Sequence, residues 1–189
     1  MTLYIKNMVC HRCILSVEEL LNQQGLIPKS VTLGVVTLEK PLLDLQLSIL
    51  RERLNALGFE LLDDQKSQMI EQVKTALIEK VQTGELPEDF SIVSFLGHTL
   101  KRDYSAISKL FSEVEGITIE HFFILQKIEK VKEWLIYNEF TLSEIAFKLG
   151  YSSVAYLSNQ FKKVTGMTPS AFKKNSGGRR IALDKVHNQ

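Results

Sequence analysis

TLSEIAFKLGYSSVAYLSNQFKKVTGMTP, residues 141–169, is the stretch around which the rest of the chain is organised. Thr141 and Glu144 have the T-x-x-E spacing of a capping box, in which two side chains satisfy the free amides that open a helix. Leu142, Ile145, Ala146 and Leu149 follow at i, i+3, i+4 and i+7, one apolar helical stripe. Gly150 supplies the left-handed residue at which a helix ends most easily. Ser152 or Ser153 then caps a second helix, with Leu157, Phe161 and Val164 expected on its buried face, and Gly166 to Pro169 close the unit. Two short helices joined by a tight turn form a helix-turn-helix, whose second helix can enter a DNA major groove.

The same pattern occurs earlier, fifty residues back. Ile107, Ser108, Phe111, Val114, Gly116, Thr118 and Phe122 match Leu157, Ser158, Phe161, Val164, Gly166, Thr168 and Phe172, so residues 91–123 read as a second copy of the unit. The apolar stripe from Ile119 to Tyr137, with Trp134 in the core, is the helix that joins the copies. Held by one helix, two such units can reach groove faces about 34 Å apart. The first copy departs from the pattern in two places. Lys101 replaces the turn glycine, and Ser112-Glu113 stands where the second copy has Lys162-Lys163. Fewer cations mean a weaker hold on phosphate.

The run S-E-I-A-x-x-L-G-Y-S-S-x-x-Y-L-S-x-x-F-K-K-x-x-G-x-T-P-S resembles the second helix-turn-helix of the AraC/XylS family of bacterial transcription regulators. Apolar spacing alone reflects core packing; the ordered series Gly150, Ser158, Phe161, Lys162, Gly166 and Pro169 carries the resemblance. It implies an all-α domain over residues 91–175 with two helix-turn-helix units joined by a long helix, binding double-stranded promoter DNA. It also implies an activator that recruits RNA polymerase. By the family's recognition-helix pattern, the base-facing residues are Ser105, Ala106, Ser108 and Lys109 in the first copy and Val154, Ala155, Ser158 and Asn159 in the second. Lys162 and Lys163 hold phosphate.

The first third of the chain reads as α+β. Leu3 to Met8 alternates as a strand, and Ile14, Val17, Leu20 and Leu21 mark a helix ending near Gly25. Val31 to Leu38 is β-rich around Gly34. Leu43, Leu47, Leu50, Leu54 and Leu57 mark a second helix, and Phe59 to Leu62 a last strand. The segment N-M-V-C-H-R-C-x-x-S-V-E-E-L-L, with L-G-F-E further on, is similar to the M-x-C-x-x-C motif and closing strand of heavy-metal-associated domains. That resemblance covers residues 1–63 and implies a ferredoxin-like α+β domain. The short span from Ser30 to Asp44 implies a truncated form with a lost or shortened strand. A helix through Met69, Val73, Leu77 and Val81, ended by Gly84 and Pro87, occupies the linker at residues 64–90. Residues 176–189 form a basic tail.

Cys10 and Cys13, at i and i+3 beside a helix start, have the spacing and softness to hold Cu(I) between two thiolates; tetrahedral Zn(II) needs further ligands, from His11 or a second subunit. Met8 reads as a buried anchor. Three other readings stand beside the metal site. The thiols can simply pack or pair two copies of the chain, they can act as a redox couple, or one can be a methyl-accepting thiol of the kind carried by repair proteins with a similar DNA domain. A metal-trafficking or thiol-redox protein with a secondary DNA module is accordingly the rival to a regulator.

Charge and composition agree with a DNA-binding back half. Net charge is +1, but residues 1–90 hold 9 basic against 13 acidic side chains and residues 91–189 hold 14 against 9, which places a polyanion partner on the second half. Two cysteines imply no disulfide framework. With no apolar run of membrane-spanning length and no signal-like start, the cytoplasm is the expected location. No nucleophile–base constellation supports an enzyme.

Overall fold

The computed structural model describes residues 1–63 and 65–174; Asp64 and the expected basic tail at 176–189 lie outside the described residues. The chain forms two compact units, Met1–Thr75 and Ala76–Gln189. The division falls inside the helix expected as a linker.

The first unit runs β1 (Thr2–Lys6), α1 (His11–Gln23), β2 (Pro28–Thr32), β3 (Val35–Leu38), α2 (Asp44–Ala56) and β4 (Glu60–Leu62). The strands make one antiparallel sheet in the order β2-β3-β1-β4, with Leu3 opposite Val36 and Ile5 opposite Leu61. Alternation along β1 sends Leu3 and Ile5 into a core shared with Val36, Leu38 and Leu61, with Val17, Leu20 and Leu21 of α1, and with Leu50 and Leu54 of α2. Met8 is fully buried in the same core, as an anchor would be.

Two expectations need correction here. No strand is lost: Gly34, at φ +72°, turns the chain between β2 and β3, and brevity is taken up by strand length, four residues in β3 and three in β4. The leucine stripe of α2 is also shorter than its spacing suggested. Leu43 and Leu57 flank the helix as its caps and are mostly exposed, because the stripe outlasts the sheet it packs on.

α3 (Gln65–Gln82) buries Val73, Leu77 and Val81. The second unit continues with α4 (Ile92–Leu100), α5 (Tyr104–Glu115), α6 (Ile119–Tyr137), α7 (Leu142–Lys148), α8 (Val154–Thr165) and α9 (Pro169–Lys174). α6 is its axis. Thr118 caps it by accepting from the His121 amide at 3.1 Å, and Phe122, Ile128, Val131 and Trp134 are buried along it. It packs against α5, α7, α8 and α9. Ion pairs run along it, Lys132 with Glu129 and Lys130 with Glu133, and Lys130 also donates to Gln82. Among the described residues, no helix is long and apolar enough to cross a membrane.

Candidate nucleic-acid interface

Each helix pair is built by local chemistry. In the second, Thr141 and Glu144 close the capping box in both directions: the Glu144 amide donates to the Thr141 hydroxyl, and the Thr141 amide donates to the Glu144 carboxylate at 2.7 Å. The Thr141 hydroxyl also donates to that carboxylate at 2.7 Å, and this bond together with the one from the Thr141 amide holds the Glu144 carboxyl below its ordinary value. α7 ends in a Schellman arrangement, with the Tyr151 amide on the Ala146 carbonyl and the Gly150 amide on the Phe147 carbonyl. Only glycine fits at 150. Its φ is +65°, and an added Cβ would lie 2.6 Å from the Pro87 carbonyl oxygen. Of the two serines proposed as the next cap, Ser153 takes the role, accepting from the Tyr156 amide at 3.1 Å.

α8 turns Leu157 and Phe161 inward, both fully buried, and Phe161 meets Phe172 edge-on at 5.5 Å. Val164 does not join them. It is half-exposed, lining an open groove beside Ile117 and Ile124, because Gly166 ends the helix before anything covers its last turn. On the outer side, Ala155, Asn159, Lys162 and Lys163 are exposed, and Val154 and Ser158 are half-buried. Among the described residues, the side chains of Asn159, Lys162 and Lys163 have no hydrogen-bond or ion-pair partner.

α5 repeats this arrangement fifty residues earlier. Ile107 and Phe111 are buried, and Phe111 meets Phe122 edge-on at 5.6 Å. Ser105, Ala106 and Lys109 are exposed and Ser108 is half-buried. The helix pairs are entered differently, however. Lys101 adopts the left-handed conformation that the sequence would assign to glycine, at φ +51°. Asp103, not a serine, caps α5, accepting from the Ala106 amide at 3.2 Å and from the Ser105 hydroxyl. Those bonds keep its carboxyl below the usual range. The Tyr104 phenol donates to Glu120. Burial, reinforced by Glu120, raises the Tyr104 pKa. One of the four residues expected to face bases in the first copy, Ser105, is therefore engaged internally.

Three features of the second pair had no sequence signal. Tyr156 stands exposed on α8 and packs edge-on against Tyr151 at 5.8 Å. The Tyr151 hydroxyl donates to Gln160 at 2.7 Å. From α6, the Lys127 ammonium sits 3.7 Å from the centre of the Tyr151 ring, and burial lowers its pKa to about 8. Charge separates the pairs as well. Residues 92–116 carry three cations against three carboxylates, whereas residues 142–166 carry three cations against one.

At the other candidate site, Cys10 is the residue preceding α1, and its sulfur lies 3.5 Å from that of Cys13. Burial acts to raise the Cys10 thiol, but hydrogen bonds from Cys13 and Arg12 and the Arg12 charge outweigh it and the pKa falls. Cys13 moves the other way, raised by burial and by its neighbour. His11 is exposed. Among the described residues, no group of three or more His, Cys, Asp or Glu converges as a metal site would.

Residues 98–175 match the model of a family described as a helix-turn-helix domain. It is similar to uncharacterized HTH-type transcriptional regulators of Staphylococcus aureus, with 30% identity over 111 residues, 59% of this chain and 14% of the relative. It is also similar to the bifunctional transcriptional activator/DNA repair enzyme AdaA of Bacillus subtilis, 29% identical over 68 residues, 36% of this chain and 32% of that protein. The chain thus spans a small part of the curated relatives it matches. Among solved structures, the C-terminal domain of AraT, a response regulator from Geobacillus stearothermophilus, shares the fold. The TM-score is 0.50 at 23% identity, covering 62% of this chain and 91% of that one.

Proposed function

We propose that the protein is a sequence-specific DNA-binding transcription regulator of the AraC/XylS type, in which the α4–α5 and α7–α8 pairs act as two helix-turn-helix units. The observation that carries this reading is the outer side of α8. A helix fixed from behind by Leu157 and Phe161 presents an unpartnered amide, Asn159, beside two unpartnered cations, Lys162 and Lys163. Asn pairs in bidentate fashion with adenine, and lysines hold phosphate. The similar regulators support this class over an enzyme, and recruitment of RNA polymerase follows from the same family reading.

The reading extends to the first unit as a ferredoxin-like, heavy-metal-associated module. Its β-α-β-β-α-β order and the thiol pair at the β1–α1 junction support it. Two sulfurs each about 2.3 Å from a common ion lie at most about 4.6 Å apart, so a pair 3.5 Å apart is within reach of one ion and would have to open by about 1 Å to hold it in line. Cu(I), content with two sulfurs, fits the donor set; Zn(II) requires ligands beyond it. A bound ion would alter DNA affinity only by favouring one state of the protein over another. Metal trafficking or thiol exchange independent of DNA is the competing reading.

Fluorescence anisotropy of the full chain against a randomised duplex pool tests the main claim. Binding should weaken steeply between about 50 and 200 mM salt, and no binding at the lowest salt would refute it. Replacing Cys10→Ser and Cys13→Ser together should abolish Cu(I) uptake and any Cu(I) dependence of DNA affinity while leaving metal-free binding intact. Unchanged Cu(I) uptake would remove the metal assignment.

A further inference from the structure

α1 and α2 lie side by side over the sheet, and the side of this helical layer turned away from the core is apolar where a solvated surface would be polar. Leu50 and Leu54 fill the inner side of α2 completely. Its outer side carries Leu45, 73% exposed, and Ile49, 41% exposed, one turn apart. Leu15 on α1 is 51% exposed, and Leu57 at the end of α2 is 53% exposed. Between the helices runs an open groove with Glu19 and Gln23 on the α1 lip and Arg53, Ala56 and Leu57 on the α2 lip. Arg53 has no partner among the described residues, and Glu19 is approached only by Gln23, at 3.3 Å.

We propose that this face pairs with the same face of a second copy of the chain. A twofold contact places each surface element against its symmetry-related counterpart, residue i on j and j on i. With the axis through the groove, the α1 lip of one copy meets the α2 lip of the other. Glu19 then faces Arg53 of the second copy, and Arg53 faces Glu19 of that copy. One charge pair per chain, unjoined within it, becomes two cross-subunit pairs beside the axis, with the exposed leucines and isoleucine of both helices flanking them.

Size agrees with this occupant. The four exposed side chains present roughly 400 Å², at the upper end of what a monomer leaves uncovered. That is about half of the ~800 Å² per partner in a standard interface, and about half is the usual apolar share of such surfaces. Opposite charges on the two lips make the face self-complementary. An anionic membrane or nucleic acid would instead require a surface of one sign, and this face carries Glu19 beside Arg53.

Sedimentation velocity on the full chain tests the pairing without reference to DNA, so its failure is separate from any failure of the DNA-binding reading. Wild-type protein should approach twice the 21.5 kDa chain mass as concentration rises. Ile49→Glu should raise the dimer dissociation constant at least ~10-fold, since a charge on the apolar part of the paired face must be desolvated or excluded. Glu19→Arg and Arg53→Glu should each weaken pairing ~5-fold or more, and the double variant should recover most of the loss because the pairs are re-formed with signs exchanged. Unaltered circular dichroism shows that each surface variant is folded. A wild-type chain that stays monomeric to ~50 µM, dimers indifferent to Ile49→Glu, or a charge-swapped double variant no better than its single parents would each overturn the proposal.

Discussion

The α4–α5 and α7–α8 pairs hold the same core fifty residues apart and differ in almost everything they expose. Ile107 and Phe111 repeat as Leu157 and Phe161, and the edge-on rings Phe111–Phe122 repeat as Phe161–Phe172. Outside, Asp103 caps where Ser153 does, Glu113 stands where Lys163 does, and Lys101 bends where a glycine serves the other pair. Packing fixes what a repeated unit must keep, because a buried ring has neighbours on every side. An exposed position is free of that constraint, and there the two pairs differ in charge and in capping.

If the cores are equivalent, they should break equally. Phe111→Ala and Phe161→Ala should each destabilise the second unit by about 3–5 kcal/mol, read by chemical denaturation; a difference of more than about 2 kcal/mol would mean that one pair carries the other. The turns should not be equivalent. Gly150→Ala should cost about 3 kcal/mol, combining a left-handed alanine with a Cβ driven into the Pro87 carbonyl.

The grip on phosphate sharpens the contrast. Replacing Lys162 and Lys163 with Ala should weaken every sequence about ten- to a hundredfold and flatten the log–log salt slope by about two units. Ser112→Lys with Glu113→Lys should steepen that slope by about two units if the first pair lies against the backbone as the second does. Asn159→Ala should relax preference at a single base position by about 1–3 kcal/mol and leave the slope alone; uniform weakening in a randomised-site assay would move Asn159 from reading to gripping. At the small end, Lys101→Gly should stabilise by about 0.5 kcal/mol, the relief of a left-handed lysine less the entropy of glycine.

Acid should loosen both pairs. The carboxyls of Glu144 and Asp103 are held below their ordinary values by the amides and hydroxyls they cap. Their contribution is therefore complete above the unfolded carboxylate range and is lost as pH falls through the lower folded values. Melting temperature should decline on acidification below about pH 4, and Glu144→Gln should reduce that decline.

Helix order, caps and the paired cores were legible in the sequence because each depends on local spacing: T-x-x-E for a cap, three- and four-residue steps for a buried face. The alternation of strands and helices in the first unit and the anchoring of Met8 were legible for the same reason, but whether Val31 to Leu38 makes one strand or part of two was not. Whether an apolar side chain at the end of an element finds a neighbour is a tertiary matter, so Leu43, Leu57 and Val164 were misjudged. Spacing is also silent about which polar residues are already occupied. Ser105 matches Ala155 in register, yet Asp103 binds its hydroxyl. Lys127, lying among isoleucines on α6, offered nothing to distinguish it from a solvated lysine.

The bond between the Leu86 amide and the Lys148 carbonyl, 2.8 Å long, draws the chain upstream of α4 over the end of α7. Pro87 roofs Gly150, and Gly84 lies against the Trp134 ring so closely that a Cβ there would be 2.8 Å from it. Residues 84–87 are therefore a structural part of the helix-turn-helix domain although they precede both its family-matched segment, which starts at residue 98, and the boundary at residue 91 that the sequence repeat suggests. Cutting at either point would strip one carbonyl of its donor, expose an indole and unroof the turn that aims α8. For anyone excising this helical unit for grafting, the usable module begins on the far side of Gly84.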